Sequence, residues 1–214
     1  MLRLLLLSGF VLYLAAVLAL YFAQRKLLYF PTAATEHGLK VQWLHQGEHT
    51  LEVIVLNPDR ANAVIYFGGN AEEVAANAPL FQRTFSDYSV YLLNYRGYGG
   101  SSGTPSETAF FEDALSLYDK VSAQHVQISA IGRSLGSGVA VYLASQRHIE
   151  RLLLITPYDS IAAVAQTHYP YMPASWLIKD KFDSLSRATN LSTKTLVLMA
   201  ENDEVIPRVH SENL

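Results

Sequence analysis

Short apolar runs recur between residues 51 and 200, and the later runs are separated by segments long enough to form helices. The runs are "LEVIVLN" (51–57), "AVIYF" (63–67), "SVYLLNY" (89–95), "VQISAIG" (126–132), "RLLLITP" (151–157) and "TLVLMA" (195–200). Helix-compatible spacing occupies residues 71–85, 107–124 and 135–147. Strand-length runs that alternate with helices form a mostly parallel sheet with helices on both faces. The sequence therefore predicts the α/β class.

Two segments depart from this alternation. The first two runs lie close together with an Asn-Pro-Asp turn signal at 57–59 between them, which predicts an antiparallel hairpin at the sheet edge. Residues 158–185 are rich in Tyr, Pro, Trp and Ser and follow a predicted sheet strand. An excursion at that point is a natural place for a segment that covers substrate. We expect a short cap over about 158–185.

The N-terminus carries a different signal. From Leu4 to Ala23 the chain has twenty residues without a charge, bracketed by basic residues. Twenty helical residues span about 30 Å, the thickness of the hydrocarbon core of a bilayer. A cleaved signal peptide usually has a shorter apolar region, and a buried core helix is the other alternative. The sequence predicts a membrane anchor over residues 1–24, followed by one domain over residues 25–214.

The predicted topology is a single pass through the membrane. Arg25, Lys26 and Lys40 follow the apolar run, whereas Arg3 and the terminal amine precede it. This small excess of positive charge after the run favours a cytoplasmic domain, but the margin leaves the side of the membrane open.

Composition narrows the chemistry. The formal net charge is −3 and there is no basic cluster, which argues against nucleic acid as a partner. The chain has no cysteine, so thiolate catalysis and cysteine metal sites are excluded. Its seven histidines show no metal-ligand spacing. We therefore expect neither a metal nor an organic cofactor.

The stretch "AIGRSLGSG" (130–138) places Ser134 between a predicted strand and a predicted helix. Gly132 and Gly136 complete a Gly-x-Ser-x-Gly pattern, which puts a serine on a strained turn above the carboxyl ends of the strands. The start of the following helix favours a developing negative charge. The pattern predicts a nucleophile at Ser134, with a structural turn serine as the alternative.

Acyl transfer at a serine needs hydrogen-bond donors for the oxyanion. The backbone N–H of Leu135, directly after Ser134, is one predicted donor. The second is expected in "YFGGNAEEV" (66–74), which again joins a strand to a helix. Because glycines allow the backbone to approach the site closely, we predict Asn70 as the second donor, with Gly69 as the alternative.

The catalytic acid is predicted in "TLVLMAENDEVIP" (195–207), where Asp203 follows a strand at a turn. Asp159, after the preceding strand, is the rival. The loop context and the chain order Ser…Asp…His favour Asp203. An ordinary solvated turn aspartate is the alternative for both positions.

These motifs resemble the α/β-hydrolase superfamily, and more narrowly its small membrane-anchored serine hydrolases. The group is similar to serine aminopeptidase-like hydrolases and to α/β-hydrolase-domain depalmitoylases. The similarity runs in order through "LLYFPT", "YFGGNAEEV", "LNYRGYGGSSGTPSE", "AIGRSLGSGVAVYLAS" and "DKFDSLSRATNL…TLVLMAENDEVIP". It implies Ser134 as nucleophile, Asp203 as acid, and Asn70 and Leu135 as oxyanion donors. Many relatives have His-Gly where this chain has Gly68-Gly69. The resemblance also implies a structural role for Arg96.

The resemblance places the catalytic histidine one strand beyond the acid. The sequence ends at Leu214, eleven residues after Asp203, and His210 is the single histidine in that stretch. His210 lies only seven residues after Asp203, too few to include a returning strand, so His210 is a poor base. His168 comes before the acid in the chain, which is the wrong order for this family. We expect a C-terminally truncated copy of a longer hydrolase, and slow turnover by these residues alone.

The predicted function is a membrane-anchored serine hydrolase that cleaves an ester, thioester or amide bond. The aromatic residues of 158–178 and the anchor favour an apolar acyl substrate, a lipid or an acylated protein. The aminopeptidase-like resemblance leaves peptides open. The alternative from another class is a non-catalytic membrane protein of the same fold that binds a ligand or partner. Oligomeric state is not predicted.

Overall fold

A seven-stranded sheet forms the centre of the computed structural model, which describes residues 1–214. The strands are β1 (Val41–Gln46), β2 (His49–Leu56), β3 (Asn62–Phe67), β4 (Tyr88–Leu93), β5 (Gln127–Arg133), β6 (Arg151–Ile155) and β7 (Lys194–Leu198). They lie in the order β1-β2-β4-β3-β5-β6-β7. The β1–β2 and β2–β4 pairs are antiparallel, and all other pairs are parallel. The predicted α/β class is confirmed.

Eight α-helices accompany the sheet. They are α1 (Leu2–Leu28), α2 (Ala78–Thr84), α3 (Glu107–Ser122), α4 (Leu135–Gln146), α5 (Ile161–His168), α6 (Ala174–Leu177), α7 (Ser184–Ala188) and α8 (Arg208–Glu212). A 3₁₀ turn over Val74–Asn77 precedes α2. α3 and α5 each start behind a serine whose hydroxyl accepts a backbone N–H of the first turn. α3 and α4 match two of the predicted helical segments. We refer to residues 158–185, which contain α5 and α6, as the cap segment.

Both faces of the sheet are covered, and successive residues of a strand face opposite layers. On β3, Ile65 and Phe67 belong to a core shared with α3 and α4, whereas Val64 and Tyr66 belong to a smaller core shared with the 3₁₀ turn and α2. This burial on two sides explains why the central strands are continuous apolar runs rather than alternating ones.

The predicted hairpin between residues 51–57 and 63–67 is wrong. β2 pairs with β1 through the Gly47-Glu48 turn, and its other neighbour is β4. β3 lies between β4 and β5, parallel to both. The strand "VQWLHQ" (41–46) was missed because polar residues alternate along it, as expected for an edge strand with an exposed face. The Asn-Pro-Asp turn therefore begins a crossing to the sheet centre rather than a hairpin.

The direction of strand addition reverses at the centre of the sheet. From β3 the chain adds β4 on one side and then returns to add β5 on the other. The loops that follow β3 and β5 therefore start side by side at the carboxyl ends of two neighbouring strands and then lead apart. Phe67 and Gly132, at these two ends, are register partners. Open α/β sheets bind their ligands in the crevice at such a point.

The other end of the sheet is formed by β7, whose apolar side chains are largely exposed. Leu196 is 59% exposed, and Val197 and Leu198 are also accessible, as is Met199 directly after the strand. β7 pairs with β6 on one side and has no strand on the other. Within residues 1–214, this edge is therefore uncovered.

Arg96 and Asp113 form a buried ion pair beneath the loop that follows β4. The Arg96 guanidinium donates to Asp113 Oδ1 from Nε at 2.8 Å, and to Glu112 Oε2 from Nη2 at 2.9 Å. Burial raises the pKa of Asp113, and the contacts with Arg96 oppose that rise. Arg96 thus joins the β4 loop to α3, the structural role that the resemblance implied.

Replacing Arg96 by alanine should lower the free energy of unfolding by about 3–5 kcal/mol, because it leaves the buried Asp113 carboxylate unpaired. Thermal and chemical denaturation in detergent measure the change. The matched control is Arg147→Ala, which removes an ion pair with Asp119 of the same 2.8 Å length on the surface. The control should cost no more than about 1 kcal/mol. Equal losses would contradict a special role for the buried pair.

Candidate active site

Ser134 occupies the sharp turn between β5 and α4. Its backbone angles are φ 49° and ψ −118°, a conformation that costs free energy for a residue with a side chain. Its N–H donates to the carbonyl of Ile155 at 2.8 Å, which holds the turn against the end of β6. The strained strand-to-helix turn is the geometry of a nucleophile elbow.

The elbow depends on the absence of side chains at the two flanking glycines. A Cβ on Gly132 would lie 2.5 Å from the carbonyl oxygen of Gly136. A Cβ on Gly136 would overlap the carbonyl oxygen of Phe67 and lie 2.5 Å from that of Gly68. The first turn of α4 therefore packs directly on the backbone at the end of β3, as close packing of the helix and the strand requires.

The loop after β3 lies next to the elbow. A Cβ placed on Gly69 would be 3.6 Å from the Cβ of Ser134. The Gly69 N–H donates to Glu72 Oε2 at 2.5 Å, whereas the N–H of Asn70 makes no hydrogen bond within the protein. The N–H of Leu135, the first residue of α4, also lacks an intrahelical partner. Of the predicted donors, Asn70 and Leu135 are thus free and Gly69 is engaged.

The side chain of Asn70 fixes this loop to the end of α1. Its Nδ2 donates to the carbonyl of Leu28 at 2.6 Å, and its Oδ1 accepts the Phe30 N–H at 3.0 Å and the Tyr98 hydroxyl at 2.8 Å. Burial raises the pKa of Tyr98 to about 12, so its hydroxyl remains a donor at neutral pH. Asn70 therefore links the loop beside Ser134 to the N-terminal helix.

Asp203 lies in the turn after β7, at the same end of the parallel strands, their carboxyl end, as Ser134. Its Oδ1 accepts the N–H groups of Val205 and Ile206 at 2.9 and 2.8 Å, which leaves Oδ2 without a hydrogen-bond partner in the chain. Asp203 is partly buried, and no histidine contacts it. The turn holds the carboxylate in one orientation with one oxygen available.

The rival acid, Asp159, is fully engaged elsewhere. Its carboxylate faces His210 Nδ1 at 3.0 and 3.1 Å and also accepts from the Ser160 N–H and Asn213 Nδ2. The other ring nitrogen of His210 lies 2.9 Å from the Thr167 hydroxyl. This buried chain of contacts ties α8 to the loop after β6 and to α5. It occupies both nitrogens of His210, which leaves neither free to face Ser134.

A cavity of about 570 Å³ opens above Ser134. Ser134, Leu135 and Asn70 form its floor, and the cap segment and α1 form its walls. Most of the lining is apolar, and the volume falls in the usual range for small-molecule sites. His168 is the one histidine in the lining, and its Nε2 lies 3.0 Å from the carbonyl of Val205.

The sequence predictions missed two contributors to this site. Glu72 shapes the loop because its two oxygens accept from Gly69, Tyr66 and Asn77. The C-terminal half of α1 supplies a wall of the cavity, whereas we expected only an anchor there. One signal was present for α1, since Gln24 is a polar residue directly after the uncharged run. Glu72 fell within the predicted helical segment 71–85 and carried no separate signal.

Comparison with known proteins gives relatives along most of the chain, although no protein-family model matches it. The chain is 31% identical to the uncharacterized protein Rv2307c of Mycobacterium tuberculosis, over an alignment that covers 92% of this chain and 76% of that protein. A stretch covering 56% of the chain is 35% identical to the lysophosphatidylserine lipase ABHD12 of Mus musculus. That stretch spans 35% of the lipase.

Solved structures show the same fold at lower identity. The esterase Pf2001 of Pyrococcus furiosus superposes with a TM-score of 0.65 at 15% identity, covering 87% of this chain and 82% of that one. The alpha/beta hydrolase domain-containing protein 10 from mouse gives a TM-score of 0.61 at 17% identity and covers 81% of this chain. Both superpositions support the fold described above.

Gly136→Ala should lower the free energy of unfolding by about 1–3 kcal/mol, because the added methyl group pushes α4 away from the backbone of β3. Denaturation in detergent measures the loss. Ser145→Ala, on the same helix, is the matched control and should stay within about 0.5 kcal/mol. If Gly136→Ala were as stable as the control, the close approach of α4 to β3 would be wrong.

Proposed function

The chain belongs to the α/β-hydrolase superfamily, and from that premise we propose a membrane-anchored serine hydrolase that cleaves an ester, thioester or amide bond through an acyl-enzyme on Ser134. The observation that carries the proposal is the strained elbow at Ser134, which lies beside two free backbone N–H groups on the floor of an apolar cavity. A purely structural serine needs neither the strain nor the unpaired donors.

In the proposed reaction, Ser134 Oγ attacks the carbonyl carbon of the substrate while its proton passes to a histidine base. The N–H groups of Asn70 and Leu135 stabilise the negative charge that develops on the carbonyl oxygen. The imidazolium then gives its proton to the leaving group, and the acyl-enzyme forms. Water attacks the acyl-enzyme by the same path and restores the serine.

We assign Asp203 as the acid that orients this histidine. Its free Oδ2 supports the assignment, since Asp159 already has partners for both oxygens. The strand β6 lies between β5 and β7, so their carboxyl ends are about 10 Å apart. A separation of this size accommodates an imidazole with a hydrogen bond on each side.

We assign the base to a histidine outside residues 1–214. His210 is held by Asp159 and Thr167, and His168 lines the cavity from the cap segment and contacts a backbone carbonyl. The exposed apolar edge of β7 supports an additional strand there, which would bring a following residue to the carboxyl ends near Asp203. On this proposal residues 25–214 belong to the hydrolase domain, with the cap segment over its site.

The substrate class follows from the cavity and from the helix. Apolar side chains dominate the lining, and α1 is long and apolar enough to cross a membrane. The relative that is a lysophosphatidylserine lipase supports an acyl ester of a lipid, although the match covers only 35% of it. We propose an acyl substrate that resides in the membrane.

Ser134→Ala should abolish covalent labelling of the full natural chain by a fluorophosphonate, because the probe reacts with an activated serine hydroxyl. Intact-mass measurement should give one label per chain in the parent protein and none in the variant. Ser122→Ala, at the exposed end of α3, is the matched control and should label normally.

His168→Ala should also retain the label, because the base lies elsewhere. Loss of labelling in this variant would instead identify His168 as the base. A folded natural chain that takes no label would refute the hydrolase proposal and favour a non-catalytic protein that binds a ligand.

Asp203→Asn should reduce kcat on an aryl acyl ester on the order of ten-thousand-fold, as expected for loss of the group that orients the histidine. Asp159→Asn should reduce it by less than about tenfold, since Asp159 contacts His210 rather than reacting atoms, and should lower thermal stability instead. Steady-state kinetics and melting curves on the two variants separate the roles. The reverse pattern would make Asp159 the acid.

A further inference from the structure

The helix α1 is a wall of the Ser134 cavity as well as a candidate anchor. Four residues spaced along one face of it, Val17, Leu20, Tyr21 and Gln24, line the cavity opposite the cap segment. From Leu28, which accepts the Asn70 side chain beside the elbow, to Val17 the helix rises about 16 Å. The wall therefore runs from the reacting serine outward along the helix axis.

Polar contacts hold α1 in this position. Gln24 donates to the carbonyl of Leu177 at 3.3 Å and accepts the Lys179 N–H at 2.7 Å. Arg25 makes two bonds to the buried Asp180 carboxylate, at 2.8 and 3.0 Å. A two-pronged guanidinium–carboxylate pair fixes orientation as well as distance. The docking of α1 on the cap segment is thus specific, rather than loose apolar adhesion.

The length of the apolar run determines how deep in the bilayer the mouth of the cavity lies. The uncharged run starts at Leu4, and residues 4–16 are exposed. Thirteen helical residues span only about 20 Å, whereas the hydrocarbon core of a bilayer is about 30 Å thick. A full crossing must therefore include residues 17–23, the part of α1 that lines the cavity.

The cap segment carries exposed aromatic residues beside the apolar run of α1. Tyr171 is 91% exposed and Trp176 is 87% exposed, on the part of the chain that packs against α1. Tyr13 donates from its hydroxyl to the carbonyl of Tyr171 at 3.1 Å, so the tip of the cap segment meets the helix within the apolar run.

We infer that the acyl chain of a membrane lipid enters the cavity sideways from the bilayer, between α1 and the cap segment, and that α1 is part of the substrate site. The inference rests on the proposed function only for the reaction at Ser134, and not for the binding of the acyl chain. A chain that moves from bilayer to cavity stays in apolar surroundings, so the shape of the wall rather than hydrophobic transfer selects it.

The test is photo-crosslinking in phosphatidylcholine vesicles that contain the full chain with Ser134→Ala, which prevents turnover. The probe is a monoacylglycerol with a diazirine at the end of its acyl chain. Peptide mapping should place the crosslinks on residues 17–24 and on the cap segment. Leu20→Trp should lower their yield at least about tenfold, because the larger side chain fills the cavity.

Leu18→Trp is the matched control, since Leu18 is 57% exposed and lies outside the cavity on the same helix. It should leave the crosslinks on the cap segment within about twofold of the parent. Crosslinks confined to residues 2–16, or equal yields for the two tryptophan variants, would overturn the inference. So would displacement of the probe by an acylated peptide but not by unlabelled monoacylglycerol.

Fluorophosphonate labelling of the parent chain in the same vesicles separates this inference from the proposed function. Crosslinked residues 17–24 in a chain whose serine takes no label would leave the lipid site standing and refute the hydrolase. A labelled serine without those crosslinks would do the reverse.

Discussion

The first turn of α4 lies directly on the backbone at the end of β3, and the geometry of the site depends on this contact. Because residue 136 is glycine, the helix approaches the carbonyl oxygens of Phe67 and Gly68 without a side chain between them. That approach brings the turn at Ser134 beside the loop at Asn70. Both loops start from neighbouring strands where the order of strand addition reverses, so the topology places them together before any side chain acts.

The N-terminal helix is joined to the same loop. Asn70 binds the carbonyl of Leu28, and Arg25 binds Asp180 of the cap segment, so α1 contacts both the floor of the cavity and its opposite wall. A helix that only anchored a domain would need neither contact. The loop that carries the proposed oxyanion donor, the Asn70 N–H, is therefore fixed to the C-terminal end of α1 by the Asn70 side chain. α1 is also the helix that is apolar enough to cross a membrane. On the proposed function, membrane attachment and the position of the oxyanion donor would both depend on α1.

Much of the fold could be predicted from the sequence, because burial on both faces leaves continuous apolar runs and the elbow leaves a five-residue pattern. The edge strand β1 could not, since one exposed face removes the apolar run, and the hairpin assigned to β2 and β3 was wrong for the same reason. The place of Ser134 in a strand-to-helix turn and the order of the loops could be predicted from local sequence. The wall formed by α1 was not, because it depends on a contact between segments more than 150 residues apart, Gln24 with Leu177 and Arg25 with Asp180. Long-range pairs of this kind leave no periodic trace.

Asp159 and Asp203 follow the adjacent strands β6 and β7 at the carboxyl end of the sheet, and the surroundings of the two carboxylates differ. Asp159 is buried, and His210, Asn213 and a backbone N–H use its oxygens, so it functions as the fixed point that ties α8 to the sheet. Asp203 is held by two backbone N–H groups through one oxygen, which leaves the other directed away from its own turn. Because α8 begins at Arg208, the contact of His210 with Asp159 also limits how far the Asp203 turn can move from β6. On the proposed assignment, Asp203 orients a base through its free oxygen, while the contact of His210 with Asp159 holds the turn in place.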